Sequence, residues 1–168
     1  MKRRTLLIVG AGAGTLLALA GGTLALLSPG LQQGRLSTGG RDMFAAVARG
    51  VLVDLLPADP DARARALQAH LQRLDDTIAG LPPALQAEIN ELVTLLASTP
   101  GRLVLAGLRP DWQQASAADL QAMLQGLRVS SLQLRQQLYH ALRNLTNAAY
   151  FADASTWPAI GYPGPNPV

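Results

Sequence analysis

The chain has 168 residues, a formal net charge of +3 and no cysteine. Disulfide, thiolate and cysteine–metal chemistry are therefore excluded, and packing or a partner must hold the fold. Lys2, Arg3 and Arg4 carry the whole net charge, leaving 11 of the 14 basic residues to balance 11 acidic ones; a domain so balanced lacks the clustered basic footprint of a nucleic-acid binder.

Lys2, Arg3 and Arg4 run into an uncharged apolar stretch of 23 residues, 5–27, closed by Ser28, Pro29 and Gly30. At 1.5 Å per residue a helix of that length spans about 30 Å of hydrocarbon, and its basic flank predicts a cytoplasmic N-terminus with the remainder translocated. Residues 1–30 thus read as an export signal or a retained membrane anchor, with 5–27 expected to hold a periplasmic protein to the inner membrane. Five glycines make the stretch less hydrophobic than a Leu-rich anchor, while no A-x-A site follows it for cleavage. The string Arg3, Arg4, Thr5, Leu6, Leu7 resembles a twin-arginine signal, with Arg3 and Arg4 as its pair. Gly10, Gly12 and Gly14 after an apolar run imitate a dinucleotide-binding loop, but Thr15 stands where the third glycine would be needed and the first acidic residue is Asp42.

After this segment about 138 residues remain, enough for one modest core. Residues 31–40 read as a tether. Phe44, Val47, Val51 and Leu55 then recur at spacings of three and four, predicting a helix over 41–56 that Pro57 ends. Asp59 caps a second helix striped by Leu67, Leu71, Leu74 and Ile78 and closed by Gly80. Pro82 and Pro83 open a third, carrying Leu85, Ile89, Leu92 and Leu96, with Pro100 and Gly101 as its stop. The run 103–108 is one or two helical turns. Ser116 and Asp119 imitate a capping box for a helix through Leu127. The last helix is expected over 130–151, with Leu134, Leu138, Leu142, Leu145 and Ala149 on one side. The tail 153–168 holds Pro158, Pro163, Pro165 and Pro167 and predicts an extended arm. The fold class is all-α: a small helical domain of about five helices over 41–152, an N-terminal signal or anchor helix, and an extended Pro-rich C-terminal arm.

Catalytic constellations are not legible. His70, among Gln68, Gln72 and Arg73, reads as a solvated or rim residue, and His140, beside Tyr139, as a structural hydrogen-bonder. Asp75 with Asp76, and Glu88 with Glu91, read as solvated helix faces rather than paired acids. Neither metal-ligand spacing nor a Ser–His–Asp set stands out, so no catalytic, cofactor-binding or metal residue is assigned to this chain. Polar and aromatic residues converge instead at the C-terminal end, where Tyr150, Phe151, Asp153, Trp157, Ile160, Tyr162 and Pro163 form the candidate partner-binding set. Rigid aromatic rings with a polar handle are preferred interface anchors, and an arm of this kind either packs back over its own helices or lies on another protein.

The string 144–153, from Asn144 through Tyr150 to Asp153, followed by Trp157, Pro158, Ala159, Ile160, Gly161, Tyr162, Pro163, Gly164 and Pro165, resembles the end of the small (gamma, or subunit 3) chain of membrane-associated gluconate 2-dehydrogenase-type complexes, relatives of which are the small subunits of fructose and glucose dehydrogenases. The resemblance covers 144–165 well and the remainder loosely, and the segment between Asp153 and Trp157 is shorter than in many relatives. It implies a small chain without flavin that pairs with a large FAD-dependent dehydrogenase of the glucose-methanol-choline type, helps to export that partner folded, and leaves electrons to pass to a cytochrome c subunit or another acceptor at the inner membrane. The family's tail residues fall on Tyr150, Asp153, Trp157, Gly161, Tyr162, Pro163 and Gly164. A free-standing periplasmic helical interaction module tethered to the membrane would share the same sequence economy.

Overall fold

The computed structural model describes residues 27–165. The expected export signal with Arg3 and Arg4, all of the apolar stretch 5–27 except Leu27, and residues 166–168 lie outside that range. The described chain runs β1 (Leu31–Gln32), β2 (Arg35–Leu36), α1 (Thr38–Val51), α2 (Pro60–Ala79), α3 (Pro83–Ala97), a π-helical segment (Gly101–Ala106), α4 (Ala117–Arg128), α5 (Gln133–Phe151) and a 3-10 segment (Ala154–Ile160). It is an all-α domain of seven helical segments with a two-residue-per-strand hairpin at its start.

The segment expected to be a tether is instead pinned to the domain. Leu31 pairs with Leu36 and Gln32 with Arg35, across a turn in which Gln33 and Gly34 both take positive φ, the backbone a tight hairpin requires. The Gly30 amide donates to Thr94 Oγ1 (2.7 Å), the Leu31 amide to Asn90 Oδ1 (2.8 Å) and the Leu36 amide to Asp75 Oδ1 (2.8 Å). Leu36 itself is buried.

Ser37 caps α1 by accepting from the Gly40 amide, so the helix starts at Thr38 rather than Arg41. Met43, Phe44, Ala46, Val47, Ala48 and Gly50 are all buried. A helix apolar around most of its circumference belongs at the centre, and α1 packs against α2, α3, α4 and α5. The helix ends at Val51, short of the expected Leu56, because the chain turns on the Leu52 carbonyl, which accepts from both Leu55 and Leu56 amides. Asp59 caps α2 through the Ala62 amide, Pro83 occupies the first turn of α3, and Ser116 and Asp119 form a reciprocal capping box on α4. Leu71, Leu74, Ile78, Val93, Leu96, Leu120, Leu127, Leu138 and Leu142 join Phe44 in one core; each such side chain contributes about 1.5–3 kcal/mol by leaving water.

The apolar run after α3 becomes the π-helical segment. A Cβ at Gly101 would lie 1.8 Å from the Leu95 carbonyl oxygen, so only glycine allows that close approach.

Two expectations are corrected here. First, among the described residues no helix is long and apolar enough to cross a membrane. The longest, α2 with 20 residues, carries Asp61, Arg63, Arg65, Arg73, Asp75 and Asp76, charges that hydrocarbon would not accept. No described segment therefore supplies the transmembrane anchor, the signal helix or the inner-membrane attachment expected from the sequence.

Second, the C-terminal arm is not extended. Residues Ala154–Ile160 form a 3-10 segment with Pro158 inside it. Its short run of i to i+3 bonds tolerates the missing proline N–H, and it is folded back on α5. Proline content predicts an arm without helical turns; hydrogen bonds from Ser155, Thr156 and Trp157 fold it instead.

Candidate functional site

The C-terminal corner is built on the end of α5. Asp153 caps the 3-10 segment by accepting from the Ser155 amide (2.9 Å) and hydroxyl (2.7 Å). The Thr156 hydroxyl donates to the Asp153 and Tyr150 carbonyls, and the Trp157 indole N–H donates to the Phe151 carbonyl at 2.8 Å. The Gly161 amide closes the segment on Pro158, with Gly161 at φ 70°, a left-handed stop that suits glycine. Trp157 and Tyr162 then lie with ring centroids 5.2 Å apart.

Arg73 of α2 fastens this corner to the body. Its Nε donates to the Ala149 carbonyl and its Nη1 to Asp153 Oδ2, both at 3.1 Å. Sequence reasoning missed Arg73, which lies 80 positions from Asp153; only the packing of α2 on α5 brings the two together. The Ser155 hydroxyl and amide, with help from Arg73, hold the Asp153 carboxyl below its ordinary range. Tyr150 is buried and its hydroxyl donates to the Leu55 carbonyl (3.1 Å); burial pushes its phenol up, Arg73 opposing and Asp153 adding to the shift.

The expected partner-binding residues divide accordingly. Tyr150 is core, Phe151 is half-buried with its ring edge-on to Tyr150, and Asp153 is the cap. Trp157 is half-buried. Ile160 is 52% exposed, Tyr162 44%, and Pro163 is exposed beside them. The structure thus brings Trp157 and Tyr162 together, leaves Ile160 and Pro163 exposed in the same segment, and uses Tyr150, Phe151 and Asp153 to support it. Other exposed large apolar side chains are Val53 after α1, Leu103 and Val104 of the π-helical segment and Val129 and Leu132 between α4 and α5; periodicity could not mark these, since none falls on a helical stripe.

The ionisable groups expected at the surface are distributed differently. His70 is fully buried in α2, and neither ring nitrogen has a hydrogen-bond partner among the described residues. Burial first, then the positive charge of Arg73, lower its pKa to about 4. His140 is exposed with its ring against Tyr139. Asp75 is buried and paired with Arg41, while Asp76 is exposed and paired with Arg35 at 3.5 Å. The Glu91 carboxyl is raised by burial and by neighbouring Glu88. Among the described residues no three His, Cys, Asp or Glu side chains gather where they could hold a metal ion. An open trough between α1 and α2, of about 480 Å³, is lined in part by Arg41, Asp42, Leu67 and Gln68 and brings no acid–base pair to its wall.

Comparison with protein-family models, with curated proteins and with solved structures found no match to this chain.

Proposed function

We propose that this chain is a non-catalytic accessory subunit whose C-terminal corner docks on a large FAD-dependent dehydrogenase of the glucose-methanol-choline type and stabilises it. The observation that carries this reading is the corner itself: Ile160 at the end of a short helical segment and Tyr162 just beyond it stand exposed, on a segment held by Asp153, Trp157 and Arg73. Side chains already ordered in the free chain lose little freedom on docking, so their contacts convert more fully into affinity. The resemblance of 144–165 to the small chains of gluconate 2-dehydrogenase-type complexes supports the choice of partner. In this reading the flavin belongs to the large subunit, and a cytochrome c subunit takes its electrons.

Co-purification tests it. The full chain, tagged in cells that make it natively, should bring down one large polypeptide with stoichiometric flavin absorbance. Recovery without a flavoprotein would leave a free-standing interaction module and defeat the assignment of the partner. Flavin absorbance in a preparation of this polypeptide alone would defeat the non-catalytic role.

A further inference from the structure

Among the described residues, both ring nitrogens of His70 on α2 and the hydroxyl of Thr146 on α5 are buried without hydrogen-bond partners. Thr146 and Tyr150 sit one turn apart on the same face of α5, and the Tyr150 ring faces His70 with centroids 6.3 Å apart. Most buried polar groups are paired, because an unpaired one costs about 1–3 kcal/mol. Two unpaired nitrogens on His70, with Thr146 one turn from the Tyr150 that faces it, leave the seam between α2 and α5 poorly founded.

We propose that His70 is an acid-sensitive trigger in this seam, whose protonation parts α2 from α5 and frees the C-terminal corner. Among the described residues no carboxylate acts on the imidazole to receive the charge. Tyr150 faces it from α5 as a neutral phenol. Arg41 of α1 and Arg35 of β2 are engaged farther along α2 by Asp75 and Asp76. Asp42 of α1 lies in the open trough, and Arg49 of α1 donates to the Trp112 and Ala115 carbonyls. Asp153, at the head of the 3-10 segment, is occupied by Arg73 and Ser155. The charge that acts on His70 is Arg73, one turn along the same helix and of the wrong sign. An imidazolium there would be a buried cation beside a cation, with two donors unsatisfied.

The consequence follows from what the seam holds. Arg73 ties α2 to the Ala149 carbonyl and to Asp153, and Tyr150 ties α5 to the Leu55 carbonyl. Parting the helices breaks both Arg73 bonds and so releases the corner, with Trp157 and Tyr162, from α2. The trigger operates in this chain alone and does not depend on the partner.

The sign is fixed by linkage. The folded pKa lies below the unfolded one, so the open state binds more protons, and the closed seam loses stability as pH falls from about 6.5 towards 4. Hydrogen exchange on the full chain between pH 7.5 and 4.5, corrected for the intrinsic pH dependence of exchange, should show protection in α2, α5 and the 3-10 segment falling by up to about tenfold per pH unit below 6.5. The α3 and α4 amides should change less, and His70→Leu should abolish most of the pH dependence. Equal slopes in wild type and variant, or uniform loss across all helices, would overturn the proposal. Should His70→Leu not fold, wild-type NMR decides: a His70 Cε1 resonance titrating near 6.5 in an intact folded spectrum overturns it, and one that stays neutral until protection is lost supports it.

Discussion

The two tryptophans mark two regions that satisfy the same local rule and end differently. Each indole donates its N–H to a backbone carbonyl, Trp112 to Leu96 at 3.0 Å and Trp157 to Phe151 at 2.8 Å. Trp112 is 5% exposed and part of the main core, whereas Trp157 is half-buried, with exposed Ile160 and Tyr162 at its side. The contrast extends to the cationic residues nearby. Arg102, also buried, has Nη1 within hydrogen-bond reach of the Leu108, Arg109 and Pro110 carbonyls and Nη2 2.7 Å from Asp111. His70 is also buried and has no hydrogen-bond partner among the described residues. One region is closed, with its buried charge paired; the other leaves apolar surface and polar capacity unused. Unused capacity of this kind suits a region that must engage something else or let go.

Four substitutions sharpen the comparison, each read by urea unfolding of the full chain. Trp112→Ala should destabilise by about 3–5 kcal/mol, the usual cost of emptying a core indole site. Arg102→Met should cost about 2 kcal/mol, because the loop carbonyls lose their donor. Trp157→Ala should cost about 1 kcal/mol, a half-buried ring and one hydrogen bond, and a loss as large as that of Trp112→Ala would erase the distinction between the regions. The smallest effect concerns Asp153. Its lowered pKa means that its contribution is present above the ordinary carboxylate value of 3.8 and is lost as pH falls below it. Asp153→Asn should therefore remove a small acid-dependent loss confined to that low window, below the range in which His70 acts.

Much of the helical layout was legible because its signals are local. Apolar spacing, Asp59, the Pro82 and Pro83 pair, and the Ser116 and Asp119 box each act within one or two turns. What stayed hidden depends on distant residues. The hairpin at 31–36 is held by Asn90, Thr94 and Asp75, and the C-terminal segment is held by Arg73. His70 was misread because its neighbours Gln68 and Gln72 are exposed while its own face of α2 turns to α5. Asp75 was misread for the same reason, its partner Arg41 lying on another helix. Proline in the tail gave a local signal that pointed the wrong way, since a 3-10 segment asks less of the backbone than an α-helix.

The most direct test is the dissociation constant of the proposed complex with a flavoprotein, measured for wild type, Ile160→Asp and Tyr162→Ala, with helical circular dichroism of each free chain. Both side chains are exposed in the free chain, so its helicity and unfolding midpoint should not change. A docking corner predicts that each substitution weakens the complex about thirtyfold, the loss of roughly 2 kcal/mol expected for a buried interface anchor. Unchanged affinity in both variants would contradict docking through this corner.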